Sequence, residues 1–121
     1  MLSSLIKSAD WKAEKHVPTI STPEAAGAGK PFEVVVSVGK EIPHPNTLEH
    51  HIAWAALYFV ADGSQLPVEL ARAEFRAHGP GLFTSPTLKA TVSLPTSGTI
   101  HAVAYCNLHG LWEAERKIAI G

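Results

Sequence analysis

Hydrophobic residues recur at every second position through most of this chain, and proline and glycine separate the alternating stretches. A period of two is the signature of half-buried strands. In 31–38, Phe32, Val34, Val36 and Val38 share one face, with Glu33 and Ser37 among the residues opposite. The same pattern predicts strands over 51–61, with Ile52, Trp54, Ala56, Tyr58 and Val60 on one face, and over 66–76, 87–94, 99–106 and 111–120. In the last, Trp112, Ala114, Ile118 and Ile120 share a face that Arg116 interrupts, while Glu113, Glu115 and Lys117 take the other. Segment 17–26 predicts one more short strand. Pro18 and Pro23 confine it to a sheet edge, because proline has no N–H to give to a ladder. Only Ser3 to Asp10 invites a helical turn, with Ser3 or Ser4 as its cap. Six or seven short strands joined by connections of about 4–12 residues predict an all-β fold, an antiparallel immunoglobulin-like sandwich.

Composition narrows the class. The 121 residues suit a single domain spanning 1–121, with no internal repeat, low-complexity tract or linker. A formal charge of -1 argues against a dedicated nucleic-acid binder, which needs a clear excess of lysine and arginine. No window approaches the roughly 20 apolar residues of a membrane span. Met1 to Asp10 carries Lys7 and lacks an apolar core with a small-residue cleavage site, so it does not read as a secretory signal. One unpaired cysteine fits a reducing cytoplasm. The expectation is a soluble intracellular domain.

That cysteine, Cys106, lies in Tyr105-Cys106-Asn107-Leu108-His109-Gly110, far downstream of His44 and the His50-His51 pair. A lone thiolate makes neither an internal disulfide nor a four-cysteine zinc or iron–sulfur site. Thiolate with imidazoles points instead to iron or copper, metals that cycle between oxidation states. The motifs fall where strands end. Pro43 and Pro45 fix the backbone around His44, and a cysteine and histidine three positions apart in a tight turn reach adjacent coordination positions. Taken singly, each residue has an ordinary reading. A cysteine closing an apolar strand is commonly a small core residue, and a lone Cys-x-x-His pair is a weak metal signal. Alternation along a strand sends His50 and His51 to opposite sides, so at most one of them binds. His78 and His101 have no neighbouring ligand pattern and read as surface or core residues.

Taken together, Glu14-Lys15-His16, the Pro43-His44-Pro45 and Glu49-His50-His51 loop, and Cys106-Asn107-Leu108-His109-Gly110-Leu111-Trp112 closely resemble the superoxide reductases, the neelaredoxin and desulfoferrodoxin family. The resemblance runs from Asp10-Trp11-Lys12 to the final strand. It implies an immunoglobulin-like sandwich with one iron ion, Fe2+ or Fe3+, held by His16, His44, His50 and His109 around an equator and by Cys106 on the axis. His51 then points away. Some members carry an additional rubredoxin-like domain with four cysteines; with no cysteine before Cys106, this sequence resembles the one-iron form.

The resemblance also implies an activity, the one-electron reduction of superoxide to hydrogen peroxide, with an external rubredoxin-like donor re-reducing the iron. An exposed Glu-Lys pair is ordinarily a solvated surface feature. Beside His16, Lys15 instead attracts the superoxide anion and holds a proton-donating water, and Glu14 is expected as a sixth ligand in the ferric state. One-iron relatives form tetramers, and the apolar run from Ala53 to Phe59 gives both faces of a strand something to bury, so a homotetramer is expected. The rival class is a copper electron carrier of cupredoxin type. It needs an axial methionine, and the only methionine is Met1.

Overall fold

The computed structural model describes residues 1–121. Eight strands form in chain order: β1 (Pro18–Ser21), β2 (Ala25–Ala26), β3 (Phe32–Val38), β4 (Ile52–Ala61), β5 (Val68–Glu74), β6 (Thr87–Val92), β7 (Gly98–Cys106) and β8 (Gly110–Ile120). They divide into a three-stranded sheet, β1-β3-β6, and a five-stranded sheet, β2-β8-β7-β4-β5. Pairing is antiparallel throughout except for the short parallel contact of β2 with β8. The alternation of the sequence becomes the core: Val34, Val36, Val38, Leu88 and Val92 of the small sheet face Leu57, Phe59, Ile100, Ala102 and Ile118 of the large one. Leu57 and Ile100 are wholly buried, each contributing on the order of 1.5–3 kcal/mol relative to exposure. No helix is long and apolar enough to cross a membrane.

Three expectations are corrected in detail. The 17–26 segment is two strands, because the chain leaves the small sheet after Ser21 and joins the large one at Ala25; both are edge strands, as the prolines require. The N-terminal helical turn shrinks to a single 3-10 turn, Leu2–Ser4. From there the chain extends, and Lys7 bridges in parallel to Trp112 at the start of β8. In β4 the strict alternation breaks, since the register with β7 shifts between Ile52 and Trp54. An extra residue in one strand reverses every face beyond it. Ile52 therefore joins the core with Ala55, Leu57 and Phe59, whereas Trp54, Tyr58 and Val60 line a hollow on the outer face of the large sheet. In β8, Arg116 keeps its inward position by donating to the carbonyl of Ile20 at 3.0 Å.

Register also gathers the candidate residues. Pro18 pairs with Val38, Ile52 with Cys106, and Cys106 with Gly110. These pairings bring the start of β1, the end of β3, the start of β4 and the β7–β8 turn to one end of the sandwich.

Candidate metal centre

Cys106 closes the inward-facing row of β7, Gly98-Ile100-Ala102-Ala104-Cys106, and is fully buried. The next three residues turn the chain, and Gly110, at φ 79°, lets β8 start back. Only glycine adopts that angle without strain. The turn sets His109 against the cysteine, with Nδ1 3.8 Å from Sγ. His16, just before β1, arrives from the other sheet, its Nε2 3.1 Å from His109 Nδ1. His50 arrives ahead of β4 with Nε2 3.2 Å from the same atom. His44 hangs from the long β3–β4 connection, with Nε2 3.5 Å from Cys106 Sγ. One donor atom from each of His16, His50, Cys106 and His109 falls within 4.8 Å of the others.

The four imidazoles form a closed ring. Successive centroids, His16 to His44 to His50 to His109 and back, are 4.9, 4.6, 4.9 and 4.8 Å apart, and the His16–His50 diagonal is 6.1 Å. Neighbouring planes stand at 74°, 76°, 67° and 75°, while the planes across the diagonal differ by only 33°. Each ring thus presents its edge to the next and a nitrogen to the middle. The thiol of Cys106 forms the buried floor, and His109 leaves one side exposed to solvent.

Hydrogen bonds identify which nitrogens carry lone pairs. His16 Nδ1 meets Glu14 Oε1 at 2.6 Å and His44 Nδ1 meets the Pro45 carbonyl at 2.7 Å. Carbonyls and ionised carboxylates only accept, so both Nδ1 atoms donate, and both rings turn Nε2 inward. Burial holds the pKa of His44 down, to about 4, and lowers that of His50, with neighbouring imidazoles and the Lys15 ammonium adding smaller pushes in the same direction. Both are neutral at pH 7. Glu14 is held below the ordinary carboxylate range, first by its side-chain bond to His16 and then by the His16 backbone N–H. The Nε2 atoms of His16, His44 and His50, Nδ1 of His109 and the sulfur of Cys106 thus face one another rather than a fixed donor elsewhere in the fold, and a cation among them would satisfy all of them. With metal–nitrogen bonds of about 2.1 Å at right angles, adjacent donors sit about 3.0 Å apart, close to the 3.1 and 3.2 Å found. The residues therefore fit a mononuclear transition metal with mixed nitrogen and sulfur donors.

Of the sequence candidates, His16, His44, His50, Cys106 and His109 converge here. Glu14 and Lys15 flank the ring without entering it: Glu14 stands behind His16, and Lys15 is half-buried beside it. His51 lies outside, stacked on His78 at 3.6 Å and 8° and bonded through Nδ1 to the Thr47 carbonyl. His78 is buried, its Nδ1 2.7 Å from Asn46 Oδ1, and His101 sits on the outer face of β7 near Glu115.

Two residues that support His16 and His44 escaped the sequence reading. Trp112 stacks on His16 at 4.9 Å and 14° and donates its indole N–H to the His109 carbonyl at 3.2 Å; its spacing from Cys106 carries no local signal of that contact. Gly39 ends β3 with φ 84°, and a Cβ there would stand 2.6 Å from the His44 backbone nitrogen. A glycine right after the valine strand was the available clue.

A β-sandwich with four imidazoles and a thiol converging at one end defines a mononuclear metal protein of the non-haem type. The desulfoferrodoxin family profile matches residues 8–115, and the chain belongs to that family. It is 50% identical to a superoxide reductase of Pyrococcus horikoshii, covering 98% of this chain and 99% of that protein, and 40% identical to neelaredoxin of Megalodesulfovibrio gigas, covering 98% of each. The crystal structure of a Thermotoga maritima protein superimposes with a TM-score of 0.97 at 47% identity, covering 100% of this chain and 98% of the other. The reduced form of superoxide reductase (neelaredoxin) from Archaeoglobus fulgidus gives 0.87 at 47% identity, covering 95% and 98%.

Proposed function

We propose that this single domain, 1–121, is a superoxide reductase that holds one iron through His16, His44, His50, His109 and Cys106. The observation that carries the reading is the convergence of four imidazoles on a buried thiol, in a chain that belongs to this family. Superoxide takes up one electron and two protons and leaves as hydrogen peroxide. Held by these residues, an iron would supply that electron, and the Cys106 thiolate among its donors would strengthen it as a reductant.

The chain's own residues do the rest. Lys15 brings positive charge to an anionic substrate, and its field already reaches His44 and His50. Its ammonium also orders water that can deliver a proton. Glu14 through Nδ1 fixes the ring of His16, and it is the residue we assign as sixth ligand of the ferric state, a role that requires its carboxylate to release His16. The electron returns from an external donor of rubredoxin type. A free, buried Cys106 supports a reducing compartment, the cytoplasm.

The outer face of the large sheet, where Trp54, Tyr58, Val60, Val103 and Leu111 line an open apolar hollow with Ile6, supports self-association to a homotetramer. Light scattering that returned a concentration-independent monomer of 12.9 kDa would reject it. The central test is pulse radiolysis of the iron-loaded protein with Cys106→Ser beside it. The variant should keep part of its iron but lose the visible thiolate-to-iron band and most of the reductase activity, and His51→Ala should keep its iron. A fully active, normally coloured Cys106→Ser protein overturns the assignment of the thiolate.

A further inference from the structure

His50 lies in no strand, helix or regular turn ladder, since β4 begins only at Ile52. Yet the ring geometry demands that it be fixed. Hydrogen bonds from two other segments fix the backbone around it. The His50 N–H donates to Thr47 Oγ1 at 3.1 Å, and its carbonyl accepts from the Thr47 N–H at 2.9 Å. The groups on either side go to one residue. Asn107 Nδ2 donates to the Glu49 carbonyl at 3.0 Å, Asn107 Oδ1 accepts from the His51 N–H at 2.8 Å, and the Asn107 backbone N–H donates to the His51 carbonyl at 3.1 Å.

Asn107 thus grips the chain before and after His50 while sitting between Cys106 and His109, in the turn that supplies both. Its side-chain amide sets an acceptor atom beside a donor atom, and the two His50-flanking groups they meet are one donor and one acceptor. No other side chain of its size offers that pair in a fixed plane. Leu108, the other residue of the turn between Cys106 and His109, is exposed and takes no part.

We infer that Asn107 is a positioning residue, which sets the distance of His50 from Cys106 and His109 and so the metal affinity of the site. This rests on the reading of His50 as a ligand. Asn107 touches neither substrate nor donor atom; it acts through His50. Residues that orient ligands from behind typically carry a 10–100-fold effect on metal affinity.

The test is a double-mutant cycle with iron(II) as the probe, read as the dissociation constant in anaerobic competition with a chromogenic chelator, independent of turnover. Asn107→Ala should weaken iron(II) binding about 10–100-fold in the native background and less than about threefold when His50 is already alanine, because coupled residues do not add. Leu108→Ala should bind iron(II) as the native protein does. Equal losses in both backgrounds would mean that Asn107 acts on the turn at large, and no loss in either would mean that it positions nothing; both overturn the inference. Unchanged binding in His50→Ala alone would instead remove His50 from the ligand set, and a weakened His50→Ala with a native-like Asn107→Ala removes only the role of Asn107. If Asn107→Ala does not fold, Asn107→Asp runs the same cycle. It keeps the acceptor for His51 and loses the donor to Glu49, and its added charge acts in both backgrounds and cancels in the ratio.

Discussion

Trp112 offers the sharpest test of how the sandwich shapes the centre. The indole is 8% exposed. One face stacks on His16, its N–H reaches the His109 carbonyl, and the Lys7 ammonium lies 5.6 Å from its centroid. Trp112→Phe removes the hydrogen bond, for about 0.5–1 kcal/mol if the carbonyl of exposed His109 turns to water, and a few ring atoms, for about 1 kcal/mol. The sum is about 2 kcal/mol. Trp112→Ala removes the whole ring and leaves a cavity, for about 3–5 kcal/mol. For a chain of this size each kcal/mol moves the melting temperature by about 4 °C, so the metal-free variants should melt about 8 °C and 12–20 °C below the native protein. Iron(II) affinity should order differently. Phenylalanine still presents an aromatic face to His16 and should bind within about threefold of native, while alanine leaves the ring held by the Glu14 bond alone, free to tilt about it, and should weaken binding about tenfold or more. Calorimetry of the metal-free proteins with chelator competition separates the two effects. If Trp112→Ala melts early yet binds iron(II) as well as Trp112→Phe, the stack is a packing contact only and the reasoning fails.

Lys15→Ala should slow the bimolecular reaction with superoxide and flatten its dependence on ionic strength while leaving iron content alone; an unchanged association rate in pulse radiolysis would reject steering by that charge. Gly39→Ala places a side chain in a left-handed conformation and against the His44 backbone, so it should cost about 1–3 kcal/mol and weaken iron(II) binding; a native-like melting curve would contradict the close approach. In the metal-free protein, His44 stays neutral down to about pH 4 when folded but protonates near 6.5 when unfolded. The unfolded state binds the extra proton between those values, so this contribution is complete above pH 6.5 and is lost as pH falls toward 4, by about 1–3 kcal/mol. Burial of His50 and His78 acts in the same direction. Urea midpoints that stay level from pH 7 to 4.5 would refute it.

The sequence by itself determined the strands, their inward faces in β3 and β8, and the edge position of the proline-bearing segment, because these follow from side-chain period and from proline's missing donor, both local properties. It also carried the donor types: one thiol and several imidazoles in rigid loops and a tight turn admit few chemistries. What tertiary structure alone decided is everything that depends on register. The shift between Ile52 and Trp54 reverses the buried face of β4, and no alternation in the sequence marks it, since both faces of that strand are apolar. His50 and His51 part company as expected, but the cause is the grip of Thr47 and Asn107 on an irregular segment rather than strand alternation. Glu14 shows the same limit. Its place beside His16 is plain in the sequence, whereas the bond of its carboxylate to the outer nitrogen of that ring appears only in the fold. Ring tautomers, the stack of Trp112 on His16 and the closeness of Gly39 to His44 join residues distant in the chain or across a loop, and their energies exist only once two sheets have brought them to one end of the sandwich.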